Sequence, residues 1–355
     1  MGGVMIMAGG TGGHIFPGLA VAAALRDQQV PVHWLGGPRG LENQLVPAAG
    51  IELQRVAISG LRGRGALGWL AAPFRILRAV IQARRILRRC QPGCVLSMGG
   101  YAAGPGGLAA RWLGIPLVVH EQNRHPGLTN RWLARWASRV CVGFDGTFPA
   151  SQHSEVTGNP VRQSIAALAA PEQRFAERQG PLRLLVLGGS LGARFLNRQV
   201  PAMLAMIEPD QRPVVRHQCG ARGEQETRDA YQQSGLTATV EPFIDDMAAA
   251  YEWADVVICR AGALTVSELM AAGLGAVLVP YPHAVDDHQA ANGSVLSEAG
   301  AALLMRENDW DSAALAKQVG NWTRPRLQTM ATAARALHPG DAAGRVAAIC
   351  QEVQR

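Results

Sequence analysis

Lysine is almost absent from this chain: Lys317 is the only one among 355 residues, and the other basic residues are arginines. With 34 Lys and Arg residues against 27 Asp and Glu residues, the net charge is +7. Such an excess favours phosphorylated ligands, nucleic acid or an anionic membrane surface, and does not choose among them by itself. Aromatic residues are scarce, at 5%, and no nucleic-acid-binding motif occurs. Neither a base-stacking platform nor a nucleic-acid partner is therefore predicted.

Cysteine is also scarce, and the six cysteines form neither a CxxC pair nor a Cys/His cluster at zinc-ligand spacing. We interpret them as small buried apolar residues in a reducing compartment. The loop Pro282–Asn292 holds two histidines and two aspartates, but their spacing matches no strong metal signature, so no metal and no cofactor are predicted. The start of the chain lacks the basic residues of a signal peptide, and no stretch of about twenty residues is apolar throughout. We therefore expect a protein that is neither exported nor membrane-spanning.

Short apolar runs that alternate with helical patterns are abundant. At 355 residues with 48% hydrophobic residues, two domains are expected. The alternation predicts an α/β fold, with parallel sheets covered by helices on both faces. It restarts after residues 158–160, which predicts two doubly wound, Rossmann-like domains that face each other across a cleft; a last helical stretch, Ala342–Gln354, belongs to one or the other. The predicted strands are Val4–Ala8, Val32–Leu35, Cys94–Ser97, Leu117–His120 and Val140–Val142, then Leu182–Leu187, Val214–His217, Thr239–Pro242, Val256–Cys259, Ala276–Val279 and Ala301–Leu304.

A glycine-rich turn, Gly9–Gly13, follows the first predicted strand and leads into a helix. Main-chain N–H groups and the helix dipole favour an anion at such a turn; the alternative is that the glycines only allow close packing of helix on sheet. His14 at the exit of the turn adds an imidazole, which can exchange protons near neutral pH. The spacing departs from the G-x-G-x-x-G fingerprint, and no acidic residue ends the strand near Val32–Gly36 to hold a ribose. A nicotinamide-dependent dehydrogenase is therefore disfavoured.

Two turns of the second half also open helices after predicted strands. Gly188–Ala193 is a second glycine turn, and Arg260–Glu268 leaves main-chain N–H groups open at a helix start. Both turns therefore favour an anion. Glu268 is interpreted either as a capping residue or as an acceptor for both hydroxyls of a ribose.

Two further loops of the second half carry candidate contacts. Asp245 is a predicted helix N-cap. Ile244 beside it offers its main-chain N–H and C=O groups to a nucleotide base. In the polar loop after Ala276–Val279, Gln289 and Asp286 are candidate hydrogen-bonding groups for a sugar or nucleotide.

Four successive polar residues, His120 to Asn123, end a predicted strand of the first half. Burying them without partners would cost about 1–3 kcal/mol each, so core filling does not explain them. Asn123 is a candidate hydrogen-bonding group for a sugar hydroxyl or an acetamido group; the alternative is an internal network that ties the strand end to the next loop. The flexible turn Gly99–Gly107 either contributes N–H groups to a diphosphate site or serves packing.

The segment 66–89 combines bulky apolar residues, among them Trp69 and Phe74, with six arginines and no acidic residue. This composition is typical of a helix that lies in an anionic membrane interface. The alternative is a core-packing helix with a solvated basic face. Arg62 and Arg64 extend the basic patch.

Taken together, blocks along the chain resemble those of the MurG family of GT-B glycosyltransferases, the N-acetylglucosaminyltransferases that make lipid II for peptidoglycan. The blocks are GGTGGH, SGLRGRG at 59–65, MGGY, HEQN, TGNPVR at 157–162, GGSLGA, FIDDM and RAGALTVSE, in the family's order over nearly the whole chain. Some positions depart from the family's pattern: Leu191 stands where glutamine is usual, Ala261 stands where serine is common, and Arg124-His125-Pro126 after HEQN is also less usual.

The resemblance implies the GT-B fold and assigns roles to its parts. Residues 1–160, with the helix 341–355 crossing back to them, would form the acceptor- and membrane-facing domain, and residues 161–340 the UDP-GlcNAc-binding domain. Arg162 and Ser190 would face the diphosphate. The implied donor contacts are Thr11, Gly12, Gly13, Asn123, Arg162, Ser190, Ile244 at the uracil, Ala263, Leu264, Thr265, Val266, Ser267, Glu268 at the ribose, and Gln289.

The implied reaction is an inverting transfer of GlcNAc from UDP-GlcNAc to the 4-hydroxyl of MurNAc in undecaprenyl-pyrophosphoryl-MurNAc-pentapeptide, lipid I. His14 is the predicted base, with Glu121 in reserve, and Arg162 with main-chain N–H groups would stabilise the departing diphosphate. The alternative for His14 is a structural or diphosphate-binding role. The chain is predicted as peripheral at the cytoplasmic face of the inner membrane, with the 66–89 region on anionic lipid. The rival hypotheses are a UDP-sugar epimerase or hydrolase and a nucleotide-binding membrane adaptor.

Overall fold

The computed structural model describes residues 2–58, 72–189 and 192–354. They divide into two compact units, one of Met1–Arg162 with Pro339–Arg355 and the other of Gln163–His338. Each unit is built on its own parallel sheet with helices between the strands. The predicted α/β fold with two Rossmann-like domains is therefore confirmed.

The first unit contains a seven-stranded parallel sheet within the described residues. Its strands are β1 (Val4–Ala8), β2 (Val32–Gly36), β3 (Leu53–Arg55), β4 (Cys94–Gly99), β5 (Leu117–Glu121), β6 (Arg139–Val142) and β7 (Ser154–Val156). Their order is β3-β2-β1-β4-β5-β6-β7, so the chain starts inside the sheet and winds outward in both directions, as in doubly wound folds. The helices that follow the strands are α1 (Gly12–Asp27), α2 (Glu42–Ala48), α3 (Ala72–Cys90), α4 (Ala103–Leu113) and α5 (Leu128–Leu133).

Strand β1 lies inside the sheet, and each of its residues is fully buried. Successive side chains of a strand point to opposite faces, and here the two faces meet different helices. Val4, Ile6 and Ala8 pack with residues of α1, while Met5 and Met7 pack with residues of α3 and α4. The unbroken apolar run in the sequence follows from this burial on both faces.

The second unit contains a six-stranded parallel sheet within the described residues. Its strands are β8 (Arg183–Leu187), β9 (Val214–Gln218), β10 (Thr239–Glu241), β11 (Val256–Cys259), β12 (Gly275–Leu278) and β13 (Ala302–Leu304). Their order in the sheet is β10-β9-β8-β11-β12-β13. The helices of this unit are α6 (Gln163–Ala166), α7 (Pro171–Ala176), α8 (Arg194–Ala205), α9 (Glu224–Gln233), α10 (Met247–Trp253), α11 (Ala263–Ala272), α12 (His288–Glu298), α13 (Ser312–Gly320) and α14 (Arg324–Ala336).

The last helix, α15 (Ala342–Glu352), belongs to the first unit. Val346 and Cys350 lie in the same buried cluster as Val21 of α1. The Asp341 side chain caps the helix by accepting a hydrogen bond from the N–H of Gly344 at 2.8 Å. The chain therefore returns to the first sheet and covers the face on which α1 packs.

Three local features differ from the sequence-based predictions. The short strands β3 and β7 were not predicted, because three residues that mix polar and apolar side chains carry no recognisable period. The predicted N-cap, Asp245, was also wrong. The structure has Asp246 in this position, where its carboxylate accepts a hydrogen bond from the N–H of Ala249 at 2.9 Å.

All six cysteines are free thiols, and each is buried except Cys90, which is partly exposed. Burial raises the pKa of Cys141 and of Cys259 to about 12, so both thiols stay protonated at neutral pH. In the part of the chain that the structure describes, no three His, Cys, Asp or Glu side chains lie close enough together to hold a metal ion. Across the same residues, no helix has both the length and the apolar character needed to cross a membrane.

His217 lies at the centre of a buried polar cluster in the second unit. Asn197 donates its amide hydrogen to the carbonyl of Cys219 at 3.0 Å, so its Oδ1 accepts from Nε2 of His217 at 3.1 Å. Nδ1 of His217 then accepts from the Tyr231 hydroxyl at 2.9 Å. Burial lowers the pKa of His217 to about 3. The ring is therefore a neutral hydrogen-bonding bridge between β9, α8 and α9.

This burial predicts a loss of stability in mild acid. An unfolded histidine takes up a proton below about pH 6.5, whereas folded His217, with a pKa of about 3, does not. The unfolded state then binds more protons, so the stabilisation is complete above pH 6.5 and falls as the pH drops toward 3. At pH 5.5 we expect the free energy of unfolding to fall by about 1 kcal/mol from its value at pH 7.5 through His217 alone. Burial also lowers the pKa of His120 and of His338, so both residues add to the loss of stability at low pH.

Urea unfolding at the two pH values measures this difference. The variant His217→Gln should show a smaller pH dependence than the wild type, and a variant of the exposed His283, His283→Gln, should keep the wild-type dependence. An unchanged pH dependence in His217→Gln would contradict the assignment.

Candidate functional site

The first glycine turn lies between β1 and α1 and is held by a buried glutamate. Gly10, at φ +97°, donates its N–H to Oε2 of Glu42 at 3.1 Å, and Gly37 donates its N–H to Oε1 at 3.1 Å. Glu42 is 1% exposed, so one carboxylate in α2 fixes the loops that follow β1 and β2. Sequence reasoning missed Glu42, because Gly10 is 32 positions away and the pair leaves no local pattern.

Helix α1 begins directly after this turn, with Thr11 in the N-cap position. The Thr11 side chain makes no capping hydrogen bond within the described residues. Its carbonyl accepts from the N–H of His14 at 3.2 Å. Gly12 and Gly13 therefore form the start of a helix, where main-chain N–H groups have no acceptor inside the helix and favour an anion. Thr11 is exposed and the two glycines are partly exposed, so this helix start is open to a ligand.

The turn after β4 packs directly on the first glycine turn. Gly100 has φ +86°, and a Cβ at this position would lie 2.4 Å from the carbonyl oxygen of Gly9. A Cβ at Gly99 would lie 3.2 Å from Cε1 of His14. These two glycines therefore allow the turns to approach each other, which favours a packing role for the start of Gly99–Gly107.

The His14 ring is tied to the residue that follows β5. Its Nδ1 lies 3.0 Å from Oε1 of Gln122, which comes 108 positions later in the chain. His14 is partly exposed, whereas Gln122 is 1% exposed. The fold thus brings the exit of the glycine turn and the HEQN block into contact.

Glu121, the last residue of β5, is enclosed by N–H donors. Its Oε1 accepts from the main-chain and side-chain N–H groups of Asn123 at 3.0 and 3.1 Å. Its Oε2 accepts from the N–H of Gly127 at 3.1 Å and from Nδ2 of Asn130 at 3.0 Å. The residue is 1% exposed. Glu121 is therefore part of an internal network, the alternative interpretation of the polar residues His120 to Asn123. Its carboxylate supports the loop before α5 and does not lie at an open surface.

Asn123 and Arg162, two predicted contacts, also lie in the first unit. Asn123 is partly buried, and its side chain donates to Glu121 as described. The guanidinium of Arg162 lies over the ring of Phe16 in α1, 5.3 Å from the ring centroid. Arg162 is the last residue of the first unit before α6. Its positive charge is therefore held near the start of α1, the same end of the unit as His14.

The second glycine turn, after β8, is held by a buried glutamine. Gly189, at φ +78°, donates its N–H to Oε1 of Gln218 at 2.9 Å, and Nε2 of Gln218 donates to the carbonyls of Gly189 and Pro242 at 3.1 and 3.0 Å. Gln218 is 5% exposed, and it links this turn to the loop after β10. Ser190 and Leu191 lie outside the described residues. Gln218, like Glu42, was missed by sequence reasoning.

Helix α11 begins at Ala263, with Gly262 as its N-cap. Leu264 and Thr265 complete the first turn, where open N–H groups favour an anion. Val266 is fully buried and its N–H donates to the carbonyl of Gly262 at 2.9 Å, so it serves helix packing. The hydroxyl of Ser267 likewise donates within the helix, to the carbonyl of Ala263 at 2.9 Å.

Glu268 lies further along α11, beyond the first turn, so it is not a capping residue. Its Oε2 accepts from the Tyr251 hydroxyl of α10 at 3.0 Å, and the residue is 5% exposed. Of the two interpretations made from the sequence, the capping residue was therefore wrong, and the ribose acceptor stays a prediction. Ala261, where serine is common in the resembled family, is fully buried before the helix.

The remaining candidates of the second unit lie in loops and at a helix start. Ile244 has a side chain only 3% exposed, so a contact would come from its main chain. Oε1 of Gln289, in α12, accepts from the N–H of Tyr281 at 2.9 Å. Asp286 is exposed at φ +53°, and Asp287 beside it forms an exposed ion pair with Arg306 at 2.5 Å. Gln289 thus holds the main chain at the start of this loop, and Asp287 links the loop to Arg306, which follows β13, at the surface of the unit.

Helix α3 carries the described part of the 66–89 segment. Residues 59–71, which include Trp69, Arg62, Arg64 and the SGLRGRG block, lie outside the described residues. Phe74, Leu77 and Ile81 are 77%, 54% and 39% exposed, and at spacings of three and four they form one apolar stripe. The opposite side of α3 is buried in the core of the first unit. The helix therefore serves packing on one side and presents apolar and basic groups on the other.

Comparison with known proteins identifies the family. The model of the glycosyltransferase family 28 N-terminal domain matches residues 4–142, and that of the glycosyltransferase family 28 C-terminal domain matches residues 183–346. A protein of Xylella fastidiosa strain Temecula1 is 56% identical over 98% of this chain and 95% of its own length. One of Alkalilimnicola ehrlichii is 55% identical over 99% of each. Both are named UDP-N-acetylglucosamine–N-acetylmuramyl-(pentapeptide) pyrophosphoryl-undecaprenol N-acetylglucosamine transferase.

A solved structure gives the same result. The crystal structure of Acinetobacter baumannii MurG is 41% identical and superimposes with a TM-score of 0.84 over 99% of this chain and 100% of its own. Sequence similarity and fold thus agree over nearly the full length of both proteins. The chain belongs to glycosyltransferase family 28 and, within it, to the MurG family.

Proposed function

We propose that this protein transfers GlcNAc from UDP-GlcNAc to the 4-hydroxyl of MurNAc in undecaprenyl-pyrophosphoryl-MurNAc-pentapeptide, converting lipid I to lipid II in peptidoglycan synthesis. One observation carries the proposal: His14 sits in the first turn of a helix that opens from a glycine turn, with its ring tied to Gln122. The setting agrees with the transferase name of relatives that are 55–56% identical over almost the entire chain.

The proposed reaction is a single in-line displacement with inversion. The 4-hydroxyl oxygen of MurNAc forms a bond to the anomeric carbon of GlcNAc as the bond from that carbon to the diphosphate oxygen breaks. UDP leaves with the electron pair, and the hydroxyl proton passes to the imidazole of His14. Positive charge develops on the sugar and negative charge on the diphosphate, so Arg162, Ser190 and helix N-terminal N–H groups would stabilise the leaving group. We propose no metal and no cofactor for this step.

We assign the donor contacts to the residues predicted from the sequence. Glu268 would accept hydrogen bonds from the ribose hydroxyls, the main chain of Ile244 would pair with the uracil, and Gln289 would contact the sugar. The remaining proposed contacts are Thr11, Gly12, Gly13, Asn123, Ala263, Leu264, Thr265, Val266 and Ser267. The N–H of Val266 and the hydroxyl of Ser267 also donate within α11.

We also propose a peripheral position at the cytoplasmic face of the inner membrane, where lipid I would be met. The exposed stripe Phe74, Leu77 and Ile81 on the arginine-rich helix α3 supports it, because apolar side chains can enter the acyl boundary while arginines meet anionic head groups. Through peptidoglycan the enzyme would serve cell-wall biogenesis, cell shape and cell division.

An assay with labelled UDP-GlcNAc and a lipid I analogue tests the function. We expect a labelled GlcNAc–MurNAc disaccharide product and release of UDP only when the acceptor is present. UDP release or epimerised sugar without acceptor would favour a hydrolase or an epimerase. Nucleotide binding without any transfer would favour the membrane adaptor.

The variant Glu268→Ala tests the donor site. Hydrogen bonds to a charged group contribute about 1.5–3 kcal/mol, so we expect the Kd for UDP-GlcNAc, measured by calorimetry, to rise about 10-fold or more. Tyr251→Phe is the matched control, because it removes the hydroxyl that donates to Glu268 and keeps the carboxylate. It should bind the donor with near-normal affinity. Equal losses in both variants would mean that Glu268 acts through the fold and not on the ribose.

A further inference from the structure

We infer that Gln122 is a positioning residue that fixes the proton of His14 on Nδ1 and so makes Nε2 the basic nitrogen. The catalytic part of this inference rests on the proposed function, in which His14 receives the hydroxyl proton. The tautomer itself follows from a chain of hydrogen bonds in the first unit alone. The chain runs from Gly158 through His120 and Gln122 to His14.

The chain of hydrogen bonds starts at the His120 ring, where a carbonyl oxygen determines which ring nitrogen carries the hydrogen. Nε2 of His120 lies 2.9 Å from the carbonyl oxygen of Gly158. A carbonyl oxygen only accepts hydrogen bonds, so Nε2 carries a hydrogen. His120 is fully buried, and this burial lowers its pKa. The ring is therefore neutral, and its Nδ1 is an acceptor.

The orientation of the Gln122 amide follows from His120. Nε2 of Gln122 lies 3.1 Å from Nδ1 of His120 and 3.1 Å from the main-chain carbonyl of the same residue. Both of these partners are acceptors, so the NH₂ group must face them. The reverse orientation would set an amide oxygen against two acceptors and remove the N–H that Nδ1 of His120 accepts, in a site that is 1% exposed.

The amide oxygen of Gln122 then faces His14. It lies 3.0 Å from Nδ1 of that ring, and because it only accepts, Nδ1 of His14 must carry the hydrogen. A neutral imidazole has a single N–H, so Nε2 holds the lone pair. In water a neutral histidine side chain favours the opposite tautomer, with the hydrogen on Nε2. The buried amide thus selects the form in which Nε2 can take the proton from a substrate hydroxyl.

Nitrogen NMR of histidine-labelled protein reads the tautomer directly, without substrate and without activity. We expect the wild-type His14 ring, assigned with a His14→Gln variant, to carry its hydrogen on Nδ1. In Gln122→Ala the signals should move toward the Nε2–H form. Gln152→Ala is the matched control, because Gln152 also donates to a main-chain carbonyl of this unit, that of Ala134 at 2.6 Å. It should leave the His14 signals unchanged.

Kinetics provide the second measurement. Gln122→Ala should lower kcat about 10- to 100-fold, with the KM for UDP-GlcNAc nearly constant, because a positioned general base contributes about 10²–10⁴-fold and only part of it is lost.

A wild-type His14 in the Nε2–H form would overturn the inference, and so would an unchanged tautomer in folded Gln122→Ala. If Gln122→Ala fails to fold, the wild-type spectrum still shows which nitrogen of His14 carries the hydrogen and so tests the inference. A protein with the expected tautomer but no disaccharide product would refute the proposed function and leave the tautomer assignment intact.

Discussion

Replacing His14 with alanine is expected to lower kcat by about 10²- to 10⁴-fold, the contribution of a positioned general base. Without the imidazole, the MurNAc hydroxyl must attack the anomeric carbon while its proton goes to water. The main-chain N–H groups of Gly12 and Gly13 remain in His14→Ala, so binding of UDP-GlcNAc should change little. Turnover with both substrates saturating, together with the Kd for UDP-GlcNAc from calorimetry, separates the two effects.

A variant of the exposed His125 in the same unit, His125→Ala, is the control and should match the wild type in both measurements. Near-normal turnover in His14→Ala would remove His14 as the base. A large rise in Kd with little change in kcat would instead support the diphosphate-binding role that the sequence left open. A loss of kcat would therefore assign His14 to the acceptor hydroxyl, and a rise in Kd would assign it to the donor diphosphate.

The predictions that succeeded rest on local patterns. Strands such as β1 and β11 are buried on both faces and form unbroken apolar runs in the sequence. Glycine turns that follow them mark helix starts, and α1 and α11 begin there. Strands β3 and β7, with three residues each, form because neighbouring strands pair with them, and nothing in their own sequence requires it.

The groups that hold the site could not be predicted, because they act over long separations. Glu42 binds the N–H of Gly10 from 32 positions away, and Gln218 holds the turn at Gly189 from 29 positions away. Gln122 meets His14 across 108 positions. No periodicity or short motif encodes such pairs, since they arise only when the parallel strands bring their carboxyl ends to one edge of a sheet. The sequence therefore predicts where the turns lie, and the fold determines what supports them.

Glu121→Ala is expected to lower the free energy of unfolding by about 2–3 kcal/mol, the second large effect. The variant removes a carboxylate, 1% exposed, that accepts hydrogen bonds from Asn123, Gly127 and Asn130. Asn130 is buried, so losing its hydrogen bond to a charged group costs about 1.5–3 kcal/mol, whereas Asn123 is partly exposed and Gly127 is exposed, so water can replace part of theirs. Glu121→Gln should also destabilise, because its NH₂ group would face other donors. Urea unfolding of both variants measures the loss.

Two comparisons distinguish this supporting role from that of a reserve base. Glu155→Ala removes an exposed carboxylate that pairs with Arg345 at 2.9 Å, and exposed pairs contribute about 1 kcal/mol or less, so this control should stay near wild-type stability. If Glu121→Ala instead kept its stability and lost only kcat, the carboxylate would be reacting with substrate. With the expected result, the loss of activity should follow the loss of folded protein, because Glu121 holds the loop from Gln122 to Gly127 and with it the amide that orients His14.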